Sequence, residues 1–394
     1  MQTVVLAAGS GTRMRPLTDT QPKPTLPVAG RPLLGHTLSG AVEAGASRLI
    51  VVVSPRTSAV QAAIGDTVDG VPVEYVTQTE QRGTADAVSA ALEALVSGPF
   101  VVLNGDSLCD EGSLTKLYES TPAVGSFRVD DPRPYGVLTV SDGRVTGVVE
   151  KPSDPQSDLI NAGAYALPAD VQQWLDVPES ERGELEFTDV LSRACEAFEV
   201  TPVTFERWLD VGRPWDLLAA NEWKVHETEP TIEGTVHEDA VLSGNVHVAA
   251  GATVRSGVVI DGPAYIDGGA SVGPNAYIRG TTYVGPGAKV GHAVEVKNSV
   301  LMADATVGHL SYVGDSILGR ETNFGAGTKV ANLRHDGQPV QLTVKGDRVS
   351  TGRRKFGVVL GDGAKTGINT SLNAGVTLST GAATTPGEVV TRDK

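Results

Sequence analysis

Only two cysteines occur in the chain, Cys109 and Cys195, and no CxxC spacing is present. Both stand among apolar neighbours, so buried free thiols in a reducing compartment are the expectation. Aromatic residues are also few, at 5% against 40% hydrophobic residues in all, so the core must be mostly aliphatic. Positive charge is short: 32 Lys and Arg face 47 Asp and Glu, a formal net charge of -15. A nucleic-acid partner would demand basic patches, so that class is excluded. The balance fits an ordinary acidic cytoplasmic protein. It fits equally a protein of a high-salt cytoplasm, where a dense anionic surface stays soluble. No stretch approaches the roughly 20 apolar residues that span a bilayer. The start, MQTVVLAAGSGTRM, lacks a charged region followed by a long apolar run and does not read as a secretory signal.

What is present is length and glycine. A chain of 394 residues is long for one core, so two domains are expected. The 46 glycines imply many tight turns. In the first part, apolar strands at Thr3–Ala8, Arg48–Ser54 and Phe100–Asn104, and a strand of alternating polarity at Val73–Gln78, are separated by Ala-rich helical stretches near 34–45, 56–64 and 84–97. Such alternation predicts parallel βαβ units in an α/β, doubly wound sheet. Short strands follow at 136–140 and 144–149, then helices near 184–197 and 214–226.

The second part carries a six-residue period. Val236, Leu242, Val248, Val254, Ile260, Ile266, Val272, Ile278, Val284, Val290, Val296 and Met302 lie six apart without a break. The phase then shifts and resumes at Leu318, Phe324 and Val330, and again at Leu360, Thr366, Leu372 and Leu378. Neither a helix nor an ordinary strand has this period. It predicts a parallel β-helix in which each hexad supplies one inward aliphatic, and it accounts for the glycines as turn residues. The pattern resembles the left-handed β-helix of hexapeptide acyltransferases. Residues 331–356, with Arg334, Lys345, Arg348, Arg353, Arg354 and Lys355, break the repeat and read as an excursion from it.

Leu6-Ala-Ala-Gly-Ser-Gly-Thr-Arg-Met14 follows the first strand. It has no GK[ST] and lacks the third glycine of the dinucleotide fingerprint, so neither a Walker A loop nor a plain NAD site fits. A glycine loop whose N–H groups face phosphates remains, with Arg13 and then Lys23 in Gln21-Pro-Lys-Pro-Thr-Leu-Pro27. Together these resemble the signature of the sugar-1-phosphate nucleotidylyltransferases. The resemblance covers 1–226, a mixed, Rossmann-like sheet domain, and leaves 227–394 to the β-helix. It implies nucleotide contacts at Leu6, Ala7, Ala8, Gly9, Gly11, Gln78, Gly83 and Thr84, the last three within Gln78-Thr-Glu-Gln-Arg-Gly-Thr84 facing a uracil or thymine ring. It implies a sugar-phosphate set at Asn104, Tyr135, Gly136, Glu150, Lys151, Asn161 and Gly163. Asp106 and Asp210 are implied as ligands of Mg²⁺. The substrates implied are UTP or dTTP and a sugar 1-phosphate.

These residue types suit the chemistry. A sugar phosphate is already an anion at neutral pH and needs no base, so catalysis reduces to positioning and charge neutralisation. Arg13 and Lys23 would supply fixed positive charge to the triphosphate. A hard cation such as Mg²⁺ prefers carboxylate oxygens. Taken singly, Asp106 reads as a helix N-cap, Lys23 as a surface charge and Gly9 and Gly11 as turn residues; it is the ordered set that points to a site.

Gly308-His-Leu-Ser-Tyr-Val-Gly-Asp315, Asn323-Phe-Gly-Ala-Gly327 and Asn332 resemble the acetyltransferase half of the bifunctional enzymes that join glucosamine-1-phosphate acetylation to N-acetylglucosamine-1-phosphate uridylylation. The resemblance implies Arg279 and Lys297 at a phosphate, His309 as the base, and Tyr312, Asn323 and Asn332 around the substrate. It puts Ala326 at acetyl-CoA, and implies a homotrimer. An attacking amine must lose a proton, and a histidine with pKa near 6.5 suits that task. The family has a lysine where Gln338 stands, and Gln341 is also uncharged; Lys345 and the Arg353–Arg354 pair are the compensating candidates. Two other readings stay open. One is a monofunctional glucose-1-phosphate uridylyl- or thymidylyltransferase whose β-helix serves assembly or regulation. The other is a non-catalytic scaffold like the exchange-factor subunits of translation initiation, for which intact Arg13, Lys23, Asp106 and Asp210 would have no use.

Overall fold

The computed structural model describes every residue except Arg56. It divides into two compact units. The first comprises Met1–Ser10, Pro22–Thr25 and Pro32–Asp210. The second comprises Gly11–Gln21, Leu26–Arg31 and Val211–Lys394.

The first unit is built on a mixed sheet. Strands β1 (Gln2–Ala7), β2 (Arg48–Val53), β3 (Val71–Thr77) and β4 (Phe100–Asn104) are mutually parallel, with β1 between β2 and β4. Beyond a short strand β5 (Ser107–Cys109) come β6 (Ala123–Arg128), β7 (Gly136–Ser141), β8 (Arg144–Glu150), β9 (Leu159–Leu167), β10 (Thr201–Thr204) and β11 (Trp208–Asp210). The order β8-β7-β9-β4-β1-β2-β3 makes β9 the antiparallel extension of β4; β6 pairs β9, and β10 pairs β6. Successive residues of a strand face opposite sides of a sheet, so one that is covered on both faces reads as a continuous apolar run. Val4, Ile50 and Val52 accordingly pack with α3 (Thr84–Ala90) and α5 (Phe187–Ala197). Val5, Leu49 and Val51 pack with α1 (Leu33–Glu43), α2 (Thr57–Ile64) and α4 (Glu111–Glu119).

Two expectations shift at helix ends. The stretch predicted over 56–64 is α2; its first position, Arg56, lies outside the described residues. The stretch predicted over 84–97 is α-helical only to Ala90 and continues as tight turns with i→i+3 bonds, Ala91 N–H to Val88 and Leu92 N–H to Ser89. The Gln2 side chain ends the run by pairing with both the N–H and the carbonyl of Val96, at 3.0 and 2.7 Å.

The second unit is a left-handed parallel β-helix of three sheets with six, eight and seven strands. α6 (Pro214–Glu227) runs against the strands Ala264–Ile266 and Thr282–Val284. The aliphatic rows stack coil on coil: Val254 on Val272, Ile260 on Ile278, Ile266 on Val284. One member of the predicted row is corrected. Leu301, not Met302, continues from Val284 to Leu318, and Val307 and Val313 fill the stretch where the phase seemed lost. The cause is two shortened corners, after Val296 and after Val313, where Asn298 (φ 45°) and Asp315 (φ 52°) turn the chain in left-handed conformations. Met302 is fully buried outside that row. Residues 331–356 do leave the coil. They contain an antiparallel hairpin, Gln341–Val344 with Asp347–Ser350, after which the register resumes as Leu318 against Leu360 and Val330 against Leu372.

Candidate active sites

In the first unit, β1 ends at Ala7 and the chain opens into a loop with Gly9 exposed and open space where its Cβ would be. The Gln81 side chain donates to the Ala8 carbonyl. Next to this strand end, β4 delivers Asn104-Gly-Asp106. Gly105 donates its N–H to the Leu6 carbonyl at 2.9 Å, and a Cβ there would lie 2.8 Å from that oxygen, so only glycine lets the two strand ends come this close. Lys23, on a single 3₁₀ turn, is buried and its Nζ sits 2.5 Å from Asp106 Oδ2. Asp106 immediately precedes β5. The antiparallel pairing of β5 with β11 sets Asp210 opposite Ser107, so the two carboxylates occupy neighbouring positions on one ribbon.

Gln78, at the end of β3, is buried; its amide donates to Asp86 Oδ2 at 2.7 Å and to the Gly83 carbonyl at 3.2 Å. Gly83 has φ 132°, and a Cβ would lie 2.4 Å from the Leu185 carbonyl oxygen, which explains glycine there. The Thr84 hydroxyl accepts from the Phe187 N–H. The residues expected at a sugar phosphate lie on or next to the strands β4, β7, β8 and β9. Tyr135 meets Trp208 edge-on at 5.6 Å, and Lys151 donates its N–H to the Tyr135 carbonyl. Gly136 pairs with Glu150, whose carboxylate takes Lys151 Nζ at 3.2 Å. Asn161 bonds Tyr165 at 2.7 Å and accepts the Gly163 N–H at 3.0 Å. Gly163 (φ 71°) lies flat on the Asn104 side chain, and a Cβ would fall 2.1 Å from Asn104 Nδ2. Arg13 and Gly11 belong to the second unit. Gly11 (φ 63°) starts the 3₁₀ turn Thr12–Met14, on which Arg13 is exposed. Both cysteines are half-buried thiols outside any disulfide, where buried ones were expected; burial and then the Glu196 charge push the Cys195 thiol up to about 11.

In the second unit a buried carboxylate gathers three of the expected residues. Asp315 takes Lys297 Nζ at 2.8 and 3.1 Å and Asn332 Nδ2 at 2.5 Å, and Asn332 also donates to the Tyr312 hydroxyl at 3.2 Å. Burial, and after it the charges of Asp315 and Glu295, hold the Tyr312 phenol above its usual range. Arg279 stands one coil below Lys297 and is fixed by Glu295 at 2.7 and 2.8 Å. His309, Asn323 and Ala326 are elsewhere in the coil. His309 is exposed at the end of the strand Thr306–His309, stacked over His292; Asn323 pairs with Thr306 on the next coil; Ala326 follows in the turn. Of the compensating candidates, Lys345 and Arg354 are exposed, whereas Arg353 is taken by Glu222 of α6. Glu222, Glu295 and Asp315 were not picked out from the sequence. Asp315 left no clear signal, because the coil there is shortened and stacks Lys297 on Gly314, so the 18-residue Lys297–Asp315 spacing is out of register. Glu222 left none, because nothing local tells which helix face meets Arg353.

Residues 2–226 match the nucleotidyl transferase family, and residues 260–382 match the GMPPB C-terminal domain. The chain belongs to the nucleotidyl transferase family, in the branch of bifunctional sugar-1-phosphate nucleotidylyltransferases/acetyltransferases. It is 39% identical over 387 residues to the bifunctional protein GlmU of Methanococcus vannielii, covering 95% of this chain and 91% of that one. It is 36% identical over 403 residues to the bifunctional sugar-1-phosphate nucleotidylyltransferase/acetyltransferase of Sulfurisphaera tokodaii, covering 100% of this chain and 98% of that one. A UDP-glucose pyrophosphorylase crystallised with UDP-glucose shares the fold over 58% of this chain and 99% of its own, with a TM-score of 0.51 and 24% identity. Among the described residues no helix is long and apolar enough to cross a membrane.

Proposed function

We propose that the chain transfers a uridylyl or thymidylyl group from UTP or dTTP to a sugar 1-phosphate, with N-acetylglucosamine 1-phosphate as the first choice of acceptor. The β-helix is proposed to acetylate an amino-sugar 1-phosphate from acetyl-CoA. The observation that carries the first activity is Lys23 buried against Asp106, with Asp210 on the paired strand. The functional division is placed at 226/227. Two thiols outside any disulfide suit a reducing cytoplasm.

The acceptor phosphate oxygen attacks the α-phosphorus; that P–O bond forms as the bond to the bridging oxygen breaks, and pyrophosphate leaves. Arg13 and Lys23 hold the triphosphate, and the loop through Leu6, Ala7, Ala8, Gly9 and Gly11 lines its approach. Gln78, Gly83 and Thr84 face the base. Asn104, Tyr135, Gly136, Glu150, Lys151, Asn161 and Gly163 hold the sugar phosphate. Two carboxylates completed by phosphate oxygens and water are a donor set that Mg²⁺ takes, so Asp106 and Asp210 are its proposed ligands. Bound there, the ion would neutralise charge on the phosphates.

In the β-helix, Arg279 and Lys297 are proposed to hold the acceptor's phosphate, with Tyr312, Asn323 and Asn332 around the sugar and Ala326 at acetyl-CoA. The amine nitrogen attacks the thioester carbonyl, His309 takes its proton, and the C–S bond breaks to release coenzyme A. One observation favours the monofunctional alternative: Lys297 and Arg353 are already paired with Asp315 and Glu222, and Gln338 is neutral. The discriminating experiment runs both assays on one preparation. Asp106→Asn should lose pyrophosphate release by more than a hundredfold and keep its fold. His309→Ala should lose acetyl transfer by about 10² to 10⁴ and keep uridylyl transfer. Asp106→Asn activity within tenfold of wild type sinks the metal-ligand role. Wild type without coenzyme A release on amino-sugar 1-phosphates leaves the monofunctional reading standing.

The assembly is proposed to be a homotrimer, as in β-helix acyltransferases whose coil is interrupted by such an arm. Light scattering should give three times the 40.9 kDa chain mass; a stable monomer under assay conditions contradicts it.

A further inference from the structure

The segment Gly11–Gln21 makes a closed loop. Its base is the Thr18 hydroxyl donating to the Gly11 carbonyl at 2.8 Å, and its interior is the buried Met14, Pro16 and Leu17. Arg13 is exposed on its first turn. This loop belongs to the same compact unit as the β-helix, and the contacts that hold it there are specific. Thr20 donates its hydroxyl to Asp362 Oδ2 at 2.5 Å and accepts from Arg320 Nη2 at 3.1 Å. Arg320 is itself locked on Asp362 by its Nε at 2.7 Å and by its backbone N–H at 2.8 Å. Pro16 packs where a Cβ on Gly361 would come within 2.9 Å. The Gln21 amide reaches Met302 Sδ at 3.7 Å. That contact gives a place to the one residue that had fallen out of the aliphatic row.

We propose that Arg320 and Asp362 are positioning residues for nucleotidylyl transfer: through Thr20 they fix the loop that presents Arg13. The inference rests on the proposed role of Arg13 at the triphosphate. Met14 and Leu17 anchor the loop by burial, but the turn Thr12–Met14 that carries the exposed Arg13 is a single 3₁₀ turn, and one such turn has too few bonds to hold itself rigid. A guanidinium aimed at a phosphate works by being fixed before the substrate arrives. The rigid body available within this unit is the stacked coil, whose inner rows are fully buried. Asp362 itself is only 8% exposed and accepts two bonds from Arg320, so its carboxylate is held in one orientation before Thr20 meets it. The Asp362–Arg320 pair therefore extends the coil's rigidity to a loop far away in sequence.

The test uses the full-length protein. Thr20→Val removes both hydroxyl bonds, keeps the side-chain shape and leaves the Arg320–Asp362 pair intact. Thr20→Ser restores the hydroxyl. Arg320→Ala is the second, independent variant. Two readouts are taken. The first is amide hydrogen exchange over residues 12–19 in the free protein, which should quicken at least fivefold in Thr20→Val and Arg320→Ala and return in Thr20→Ser. The second is pyrophosphate release. There kcat should fall roughly tenfold, by analogy with the large rate losses that follow small misplacements of positioning groups. The KM for the sugar 1-phosphate should stay within twofold, the melting temperature of Thr20→Val should stay unchanged, and Thr20→Ser should restore kcat. Unchanged exchange in Thr20→Val overturns the proposal. So does quickened exchange with kcat within twofold of wild type, because the loop would then be held for no catalytic purpose. A kcat loss that tracks a lowered melting temperature and is not restored by Thr20→Ser also overturns it, as a merely structural effect. If wild-type protein turns over no nucleotide at all, the function proposed above fails by itself, while exchange still decides whether the loop is held.

Discussion

Asp315 is one carboxylate on which Lys297, Asn298 and Asn332 converge, and it is 3% exposed. A buried ion pair adds little against an apolar replacement of both partners, but stripping it of one partner leaves a charge with no counterion. Asp315→Ala is therefore expected to destabilise the β-helix by about 3 kcal/mol. Thermal or denaturant unfolding checks it, and a melting temperature equal to wild type would show that Lys297 finds solvent at no cost. On the proposed acetyl transfer, a phosphate arriving at Lys297 would meet an ammonium already shared with a carboxylate. Its affinity then depends on how far the 2.8 Å contact loosens. Glycine tells a simpler story at this scale. Gly83, Gly105 and Gly163 each sit where a methyl group would collide with backbone or with Asn104, so their presence in the motifs has a steric cause.

The elements were legible wherever one pattern controlled them. Strands β1, β2 and β4 are covered on both faces and carry aliphatic runs, because no alternation is needed when neither face meets water, whereas β3 alternates half-buried with exposed residues. The β-helix was legible from its period alone. Its phase was not, since a coil of 17 residues and one of 18 look alike until the stacking partner is known. That is why Met302 was placed in the row that Leu301 occupies. The helix predicted to reach residue 97 ends at Ala90, and the turns after it are tied at Val96 by Gln2, 94 residues away, a pairing which no local propensity encodes. The candidate residues divide in the same way. Those that sit in a short ordered motif, such as Lys23 and Asp106, are legible in the sequence and lie in contact. Those that act by long-range pairing, such as Arg320 with Asp362 and Thr20, carry no motif and emerged from the geometry alone.

For the whole molecule, net charge is the dominant long-range quantity. At -15 the chain repels itself, and most of its ion pairs are at least partly exposed and so contribute little. If the acidic surface is a high-salt adaptation, raising KCl from low to molar should raise the melting temperature, since salt screens repulsion between exposed charges. A flat or falling melting temperature over that range counts against it. The hairpin at 341–350 adds a different kind of consequence. The chain leaves the coil after Val330, builds a separate two-stranded ribbon, and re-enters with Leu360 on Leu318 and Leu372 on Val330 as though nothing had intervened. Each coil pairs only with the one before and the one after, so a detour at a corner disturbs neither neighbour. The corner is thus a port for grafting: descendants of this sequence are free to lengthen, trim or replace the arm, and with it the chemistry it presents, while the stack beneath is inherited unchanged.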